Sequence, residues 1–255
     1  MNRGKILSAL ETDRLGRELV LLDEADSTNL HAARLLKEGA LKNGATVIAE
    51  MQSAGRGRMN RQWHSKGCLC MTTALFMQQS GDTLGAITLT AGVAVVQALT
   101  SVTGHEFKLK YPNDIICNGR KTGGILCELK MNGQAVVLVG IGINVEQETF
   151  PDEIADTATS LALQGIKAER EILAAAVLNR LEKMAAIFND KGFAPLRQLW
   201  IDANCTLGRN VTVVTPGGRL QGKAMDLDET GGLLVETDGG IERVTTGDVL
   251  LGSGT

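Results

Sequence analysis

Two Asn-Gly dipeptides, Asn118-Gly119 and Asn132-Gly133, each stand between runs of apolar and β-branched residues. Asn-Gly is the strongest short-range signal for a tight hairpin, because both residues tolerate the positive φ that a type I′ turn demands. Together with the break at Pro112-Asn113-Asp114, they order residues 107–143 as an antiparallel meander. Strands are also predicted over 18–22, 45–50 and 68–76, the second introduced by the Asn43-Gly44 turn. Helices are predicted over 28–38, 84–102, 169–190 and 194–202. The first is capped by Asp26-Ser27 and stopped at Gly39; the third carries a single apolar stripe through Ile172, Leu173, Ala176, Val177, Leu181, Met184, Ile187 and Phe188. After Cys205 the texture changes. Residues 210–251 are short β-branched runs cut by Gly217-Gly218, Gly231-Gly232 and Gly239-Gly240, which fits a small barrel of five short strands. The chain therefore reads as α+β in two parts, 1–205 and 206–255.

Composition narrows the function classes. The net charge of −3 argues against a general nucleic-acid surface, so the cations of Arg56, Arg58 and Arg61 should answer something local, such as a phosphate. Five cysteines without a C-x-x-C pair, and His31, His64 and His105 without ligand spacing, predict reduced thiols and no structural metal site. The longest apolar stretch is expected at 135–145, interrupted by Gly140, Gly142 and Asn144 and too short to span a bilayer. A soluble, cytoplasmic protein is expected.

Four stretches carry more polarity or more glycine than their local structure needs. In "GRGRMNRQW", 55–63, Gly55 and Gly57 let backbone approach a ligand and present N–H groups, while the arginines suit phosphate. A plain basic turn explains the stretch as well. In "KYPND" and "KTGGIL", 110–114 and 121–126, Asn113 and Asp114 interrupt apolar strands, and Gly123-Gly124 weaken one unless something must come close. In "GIGIN", 140–144, alternating glycines leave one strand face bare, for a flat group or for a tightly packed helix. "DSTN", 26–29, is complete as a helix cap.

In this order and spacing, the five motifs resemble the biotin protein ligases, also called biotin–[acetyl-CoA-carboxylase] ligases. The one departure is Tyr111, where the family usually has Trp. The resemblance implies a class II synthetase-like catalytic domain, a mixed and largely antiparallel sheet flanked by helices, followed by a small SH3-like β-barrel. It implies ATP-dependent activation of biotin to biotinyl-5′-AMP, then transfer to a lysine of a biotin carboxyl carrier protein. Biotin and ATP are expected as substrates, with Mg²⁺ and no tightly bound prosthetic group. By motif, Lys121 and Arg58 would be catalytic. Ser27, Thr28, Asn29, Gln52, Gly55, Arg56, Gly57, Arg58, Lys121, Gly123 and Gly124 would form the biotin site. Arg58, Arg61, Trp63, Asn113, Asp114, Lys121 and Asn144 would serve ATP and the adenylate, with adenine on the Gly140/Gly142 strand and Asp114 near the metal.

Some members of the family carry an N-terminal DNA-binding domain; about 25 residues precede "DSTN", too few for one, so a form without it and without DNA binding is expected. No membrane partner is expected, and a homodimer is left open. The alternatives are a lipoate or acyl ligase on the same fold and a non-enzymatic biotin sensor. The first would not need the "GRGR" and "KTGGIL" pair, and the second would not need Lys121, Arg61 and Asp114 together.

Overall fold

The computed structural model describes residues 1–77, 84–215 and 217–252; Pro216 and the last three residues of the expected second part lie outside them. The larger sheet has seven strands: β1 (Leu19–Ala25), β2 (Thr46–Gln52), β3 (Cys68–Phe76), β4 (Lys108–Lys110), β5 (Asp114–Cys117), β6 (Arg120–Asn132) and β7 (Gln134–Asn144). Their order is β1-β2-β3-β7-β6-β5-β4. Only β1 and β2 run parallel, joined through helix α2 (Thr28–Lys37), as a parallel pair requires a crossover. The remaining pairs are antiparallel, the mixed sheet expected.

The first Asn-Gly forms the anticipated turn: Asn118 and Gly119 both have positive φ between paired Cys117 and Arg120. The second closes differently. Asn132 pairs directly with Gln134, and only Gly133 takes the left-handed conformation.

Alternation along β7 divides the protein into layers. Val137, Val139, Ile141 and Ile143 join the main core, which includes residues of α1 (Arg3–Ala9), α3 (Leu84–Thr103), α4 (Arg170–Lys191) and α5 (Ala194–Ala203). Val136 and Leu138 face the other way, against Ala32 and Leu36 of α2. On α4 the buried face is Leu173, Ala174, Ala175, Val177, Leu178, Leu181, Met184 and Phe188; Ile172, Ala176 and Ile187 of the expected stripe are only half-buried. The longest apolar segment is α3, not 135–145: it is long and apolar enough to cross a membrane, but it lies largely buried in the main core.

Beyond residue 205, β8 (Asn210–Thr215), β9 (Gly218–Leu227), β10 (Leu233–Thr237), β11 (Gly240–Val244) and β12 (Asp248–Leu251) form an antiparallel sheet in the order β11-β10-β9-β8-β12. Its apolar side, including Val211, Val213, Leu227, Leu233 and Val235, is continuous with the main core. Tyr111 sits at the seam, edge-on to Trp200, its hydroxyl 3.0 Å from the Val244 carbonyl and 3.3 Å from that of Gly231. Burial pushes its pKa up to about 12, so the phenol stays a donor. Gly231 allows this approach, because a Cβ there would lie 2.9 Å from the Leu89 side chain.

Candidate active site

The even-numbered face of β7 stays covered only as far as α2 reaches. Val136 and Leu138 lie beneath the helix; Gly140 then lies beneath Asn29 in its first turn. Past the helix end comes Gly142, beneath the indole of Trp63: a Cβ at Gly142 would be 2.6 Å from two ring carbons. Thus the flat group against this strand is the protein's own Trp63, and its neighbour is Asn29. Gly124, paired with Gly142 on β6, lies beside Lys121 and the other edge of Trp63, but a Cβ there would meet them only at ordinary contact distance, 3.4–3.5 Å. These small residues floor a cavity of about 930 Å³ that opens at the N-terminal end of α2.

One end of the cavity is polar and tightly held. Ser27 is the N-cap of α2 but makes no side-chain capping bond; instead Gln52 Oε1 accepts the Thr28 N–H at 2.8 Å. The expectation that "DSTN" caps itself therefore fails, and the helix start is tied to β2. Asp26 accepts from Arg34 and from the Ser27 N–H; the Arg34 bond is the main reason its pKa falls to about 2. The Gln52 backbone is clasped by Ser65, whose hydroxyl accepts the Gln52 N–H at 2.7 Å and donates to its carbonyl at 3.0 Å. Asn29 donates to the Leu126 carbonyl at 3.2 Å and to Glu128 at 2.9 Å, and Glu128 in turn lies 3.7 Å from Arg56. Fully buried Thr72 on β3 places its hydroxyl 2.6 Å from Asn29 Oδ1 and 2.8 Å from Thr28 Oγ1.

The other end is cationic. Lys121 Nζ is 2.5 Å from Asp114 and 5.8 Å from the Trp63 ring centre, within cation–π range. Its backbone is fixed by the 157–159 segment, bonding to Thr157 and Thr159. Lys110 approaches the same carboxylate at 3.9 Å. Asn113 donates to the Ile125 carbonyl at 2.9 Å and accepts from Arg58 at 3.3 Å. Arg58 also donates to the Gly247 carbonyl at 3.0 Å, and Arg61 reaches both oxygens of Asp248 at 2.7 Å. The arginine loop is thereby pinned to the turn entering β12.

Among the residues singled out in the sequence, only Gly55 and Gly123 do not line this cavity. They serve packing: a Cβ at Gly55 would be 2.6 Å from the Trp63 carbonyl, and one at Gly123 would be 2.9 Å from that of Gly142. Gly57 departs from its expected use, since its N–H is donated to the Arg61 carbonyl at 2.7 Å. Asn144 is committed as well, donating to the Thr159 carbonyl and accepting from Gln147, both at 2.9 Å. Cys70 lines the cavity, but its hydrogen bond with Cys68 and then its burial raise its pKa well above the ordinary value, so it is no thiolate nucleophile.

Among the described residues no group of three His, Cys, Asp or Glu could hold a metal ion. Asp114 is a single carboxylate already paired with two lysines. That donor set fits Mg²⁺ carried chiefly by phosphate oxygens, not a protein cage. Sequence reading missed Thr72, Glu128 and Asp248. Nothing local marks them, since their partners lie 43, 99 and 187 positions away.

Residues 22–146 match the biotin/lipoate A/B protein ligase family, and residues 206–252 match the biotin protein ligase C-terminal domain. The bifunctional ligase/repressor BirA of Bacillus subtilis is 37% identical over 99% of this chain and 79% of its own length. The biotin–[acetyl-CoA-carboxylase] ligase of Mycobacterium tuberculosis is 34% identical over 92% of this chain and 89% of its own. Biotin protein ligase from Aquifex aeolicus, solved in complex with biotin and ATP, superposes with a TM-score of 0.82 at 32% identity, covering 93% of this chain and all of that one.

Proposed function

This chain belongs to the biotin protein ligase family, and we propose on that premise that it joins biotin to ATP as biotinyl-5′-AMP and passes the biotinyl group to a carrier lysine. The observation that carries this reading is one continuous cavity with two unlike ends. A hydrogen-bonding pocket at the start of α2, whose one cation Arg56 faces Glu128, runs into a cluster of Lys110, Lys121, Arg58 and Arg61. Two anions, a carboxylate and a triphosphate, can be brought together only where cations face both.

In the first step a biotin carboxylate oxygen attacks the α-phosphorus and pyrophosphate leaves. Lys121, at the cationic end, would face both the carboxylate and the α-phosphate, exchanging its bond to Asp114 for bonds to substrate. Arg58 would add charge to the same phosphate, and Arg61 would meet the polyphosphate. Asp114, once released, would hold a Mg²⁺ that neutralises phosphate charge. In the second step the carrier amine attacks the acyl carbon and AMP leaves. The polar end, with Ser27, Thr28, Asn29 and Gln52, supports a head group with its own donors and acceptor, such as the ureido ring of biotin, over the dithiolane of lipoate. Trp63 covers the glycine floor and would border adenine. Asn144 would support that border indirectly, by holding Thr159 and Gln147.

Relatives named for acetyl-CoA carboxylase point to its biotin carboxyl carrier as the acceptor. Incubation with biotin, Mg·ATP and a recombinant carrier domain, followed by mass spectrometry of the carrier, should show one added biotinyl group. A carrier modified by lipoate but not by biotin would reverse the assignment; an unmodified carrier with either acid would reject it.

A further inference from the structure

We propose that Thr72, buried behind the residues that line the cavity, is a positioning residue that sets which hydrogen-bonding groups Thr28 presents to the substrate. The inference rests on the biotin reading of this pocket. It follows from counting protons. The Leu126 carbonyl and the Glu128 carboxylate can only accept, so the Asn29 NH₂ must face them, at 3.2 and 2.9 Å. The Asn29 oxygen then faces Thr72 at 2.6 Å and can only accept. Thr72 carries one hydroxyl proton, which it directs to Asn29 and to Thr28 Oγ1, 2.8 Å away and accepting from it. With one lone pair taken by Thr72 and its own proton turned to Gln52, Thr28 shows the cavity only an acceptor.

Gln52 completes the pattern. Its Oε1 accepts the Thr28 N–H at 2.8 Å and the Thr28 hydroxyl at 3.2 Å. Its Nε2 is the group left to donate. The wall thus shows an acceptor beside a donor, the complement of an N–H next to a C=O. Thr72 is fully buried and sits across the strand pair from Gly140, the glycine over which Asn29 lies.

Three full-length variants test the inference: Thr72→Ser keeps the donor, Thr72→Cys weakens it, and Thr72→Val removes it at nearly constant shape. The readout is biotin- or desthiobiotin-dependent ATP–pyrophosphate exchange. The KM for biotin should rise about 10- to 100-fold in Thr72→Val, less in Thr72→Cys and hardly in Thr72→Ser, the range expected when a buried acceptor loses its donor. Desthiobiotin should suffer in the same proportion, because it keeps the ureido ring and lacks the sulfur ring. The KM for ATP and kcat should stay near native. An unchanged biotin KM in Thr72→Val, or a parallel loss in biotin KM, ATP KM and kcat, would overturn the inference, as would failure of Thr72→Ser to behave as native. Should Thr72→Val not fold, the Cys and Ser variants decide by the same ranking. Absence of biotin-dependent exchange in the native protein would instead refute the biotin reading, and this inference with it.

Discussion

Gly142→Ala probes the proposed adenylate end of the cavity with one methyl group. The added Cβ would lie 2.6 Å from Cε2 and Cζ2 of Trp63 and 2.8 Å from its Nε1. Carbon atoms rest at about 3.5–4.0 Å, so the indole must lift by about 1 Å. β7 cannot yield in its place, because it is paired on both sides, with β3 and with β6. Lifting the ring stretches its 3.3 Å bond to Cys68 and carries it away from Lys121, 5.8 Å from the ring centre. Overpacking of this kind costs about 1–3 kcal/mol, which a folded chain tolerates. A misplacement of about 1 Å at a reacting centre can cost about 100-fold in rate. We expect kcat/KM for ATP in pyrophosphate exchange to fall 10- to 100-fold on that principle, with the KM for biotin near native.

Fluorescence supplies an independent reading. Trp63 and Trp200 are the only tryptophans, and Trp200 is buried in α5 against Tyr111 and is not among the groups that a Gly142 Cβ would meet. An altered emission spectrum in Gly142→Ala therefore reports Trp63. Native emission together with a native ATP KM would show that the indole does not rest on Gly142 in solution, and would remove the basis for placing the nucleotide beside it.

Lys121→Ala should lower biotin-dependent pyrophosphate release by about 100-fold or more, the order seen when one preorganised stabiliser is lost, while the thermal midpoint changes little because Lys121 is a third exposed. A near-native rate would reject Lys121 as the residue facing both anions. Trypsin should cut after Arg56, Arg58 and Arg61 more slowly when biotin and ATP are both present, since the arginines then have anions to bind; equal rates would mark the loop as a rigid turn. Asp248→Ala should speed cleavage at Arg61 and raise the KM for ATP while sparing biotin, because Arg61 loses the carboxylate that holds it. Tyr111→Phe should lower the thermal midpoint, since it leaves the Val244 and Gly231 carbonyls without their buried donor.

What the sequence revealed depended on the distance between partners. The Asn118-Gly119 turn, the α4 helix and the five strands after residue 205 were legible because turn chemistry and periodicity act over a few residues. The bare face of Gly140 and Gly142 was legible as an absence, but what fills it was not: Trp63 and Asn29 arrive from elsewhere in the chain, and no local pattern names them. Thr72 is one of two adjacent threonines in β3, with nothing local to set it apart, and its role comes from meeting Thr28 and Asn29. Ser27 shows the reverse error. Its residue type suits a cap, yet Gln52 supplies the bond at the helix start.

The arginine loop also explains why the second sheet matters to a site whose motifs all precede residue 145. Arg58 and Arg61 repel one another, and Gly55 and Gly57 on the same loop favour open conformations. The loop is held instead by acceptors from outside the larger sheet: the Gly247 carbonyl for Arg58 and the Asp248 carboxylate for Arg61. Both acceptors stand at the entry to β12, which pairs with β8, and β8 packs its Val211 and Val213 into the shared core. Tyr111 fixes the same sheet from the other side, one residue before the Pro112-Asn113-Asp114 segment that carries two groups of the cationic end. The position of the arginines over the cavity is thus set jointly by the two sheets. Loss of the second sheet should therefore be felt first where phosphate charge is met and last at the Thr28–Gln52 end, which is built from β2, α2, β3, β6 and Ser65 of the loop before β3.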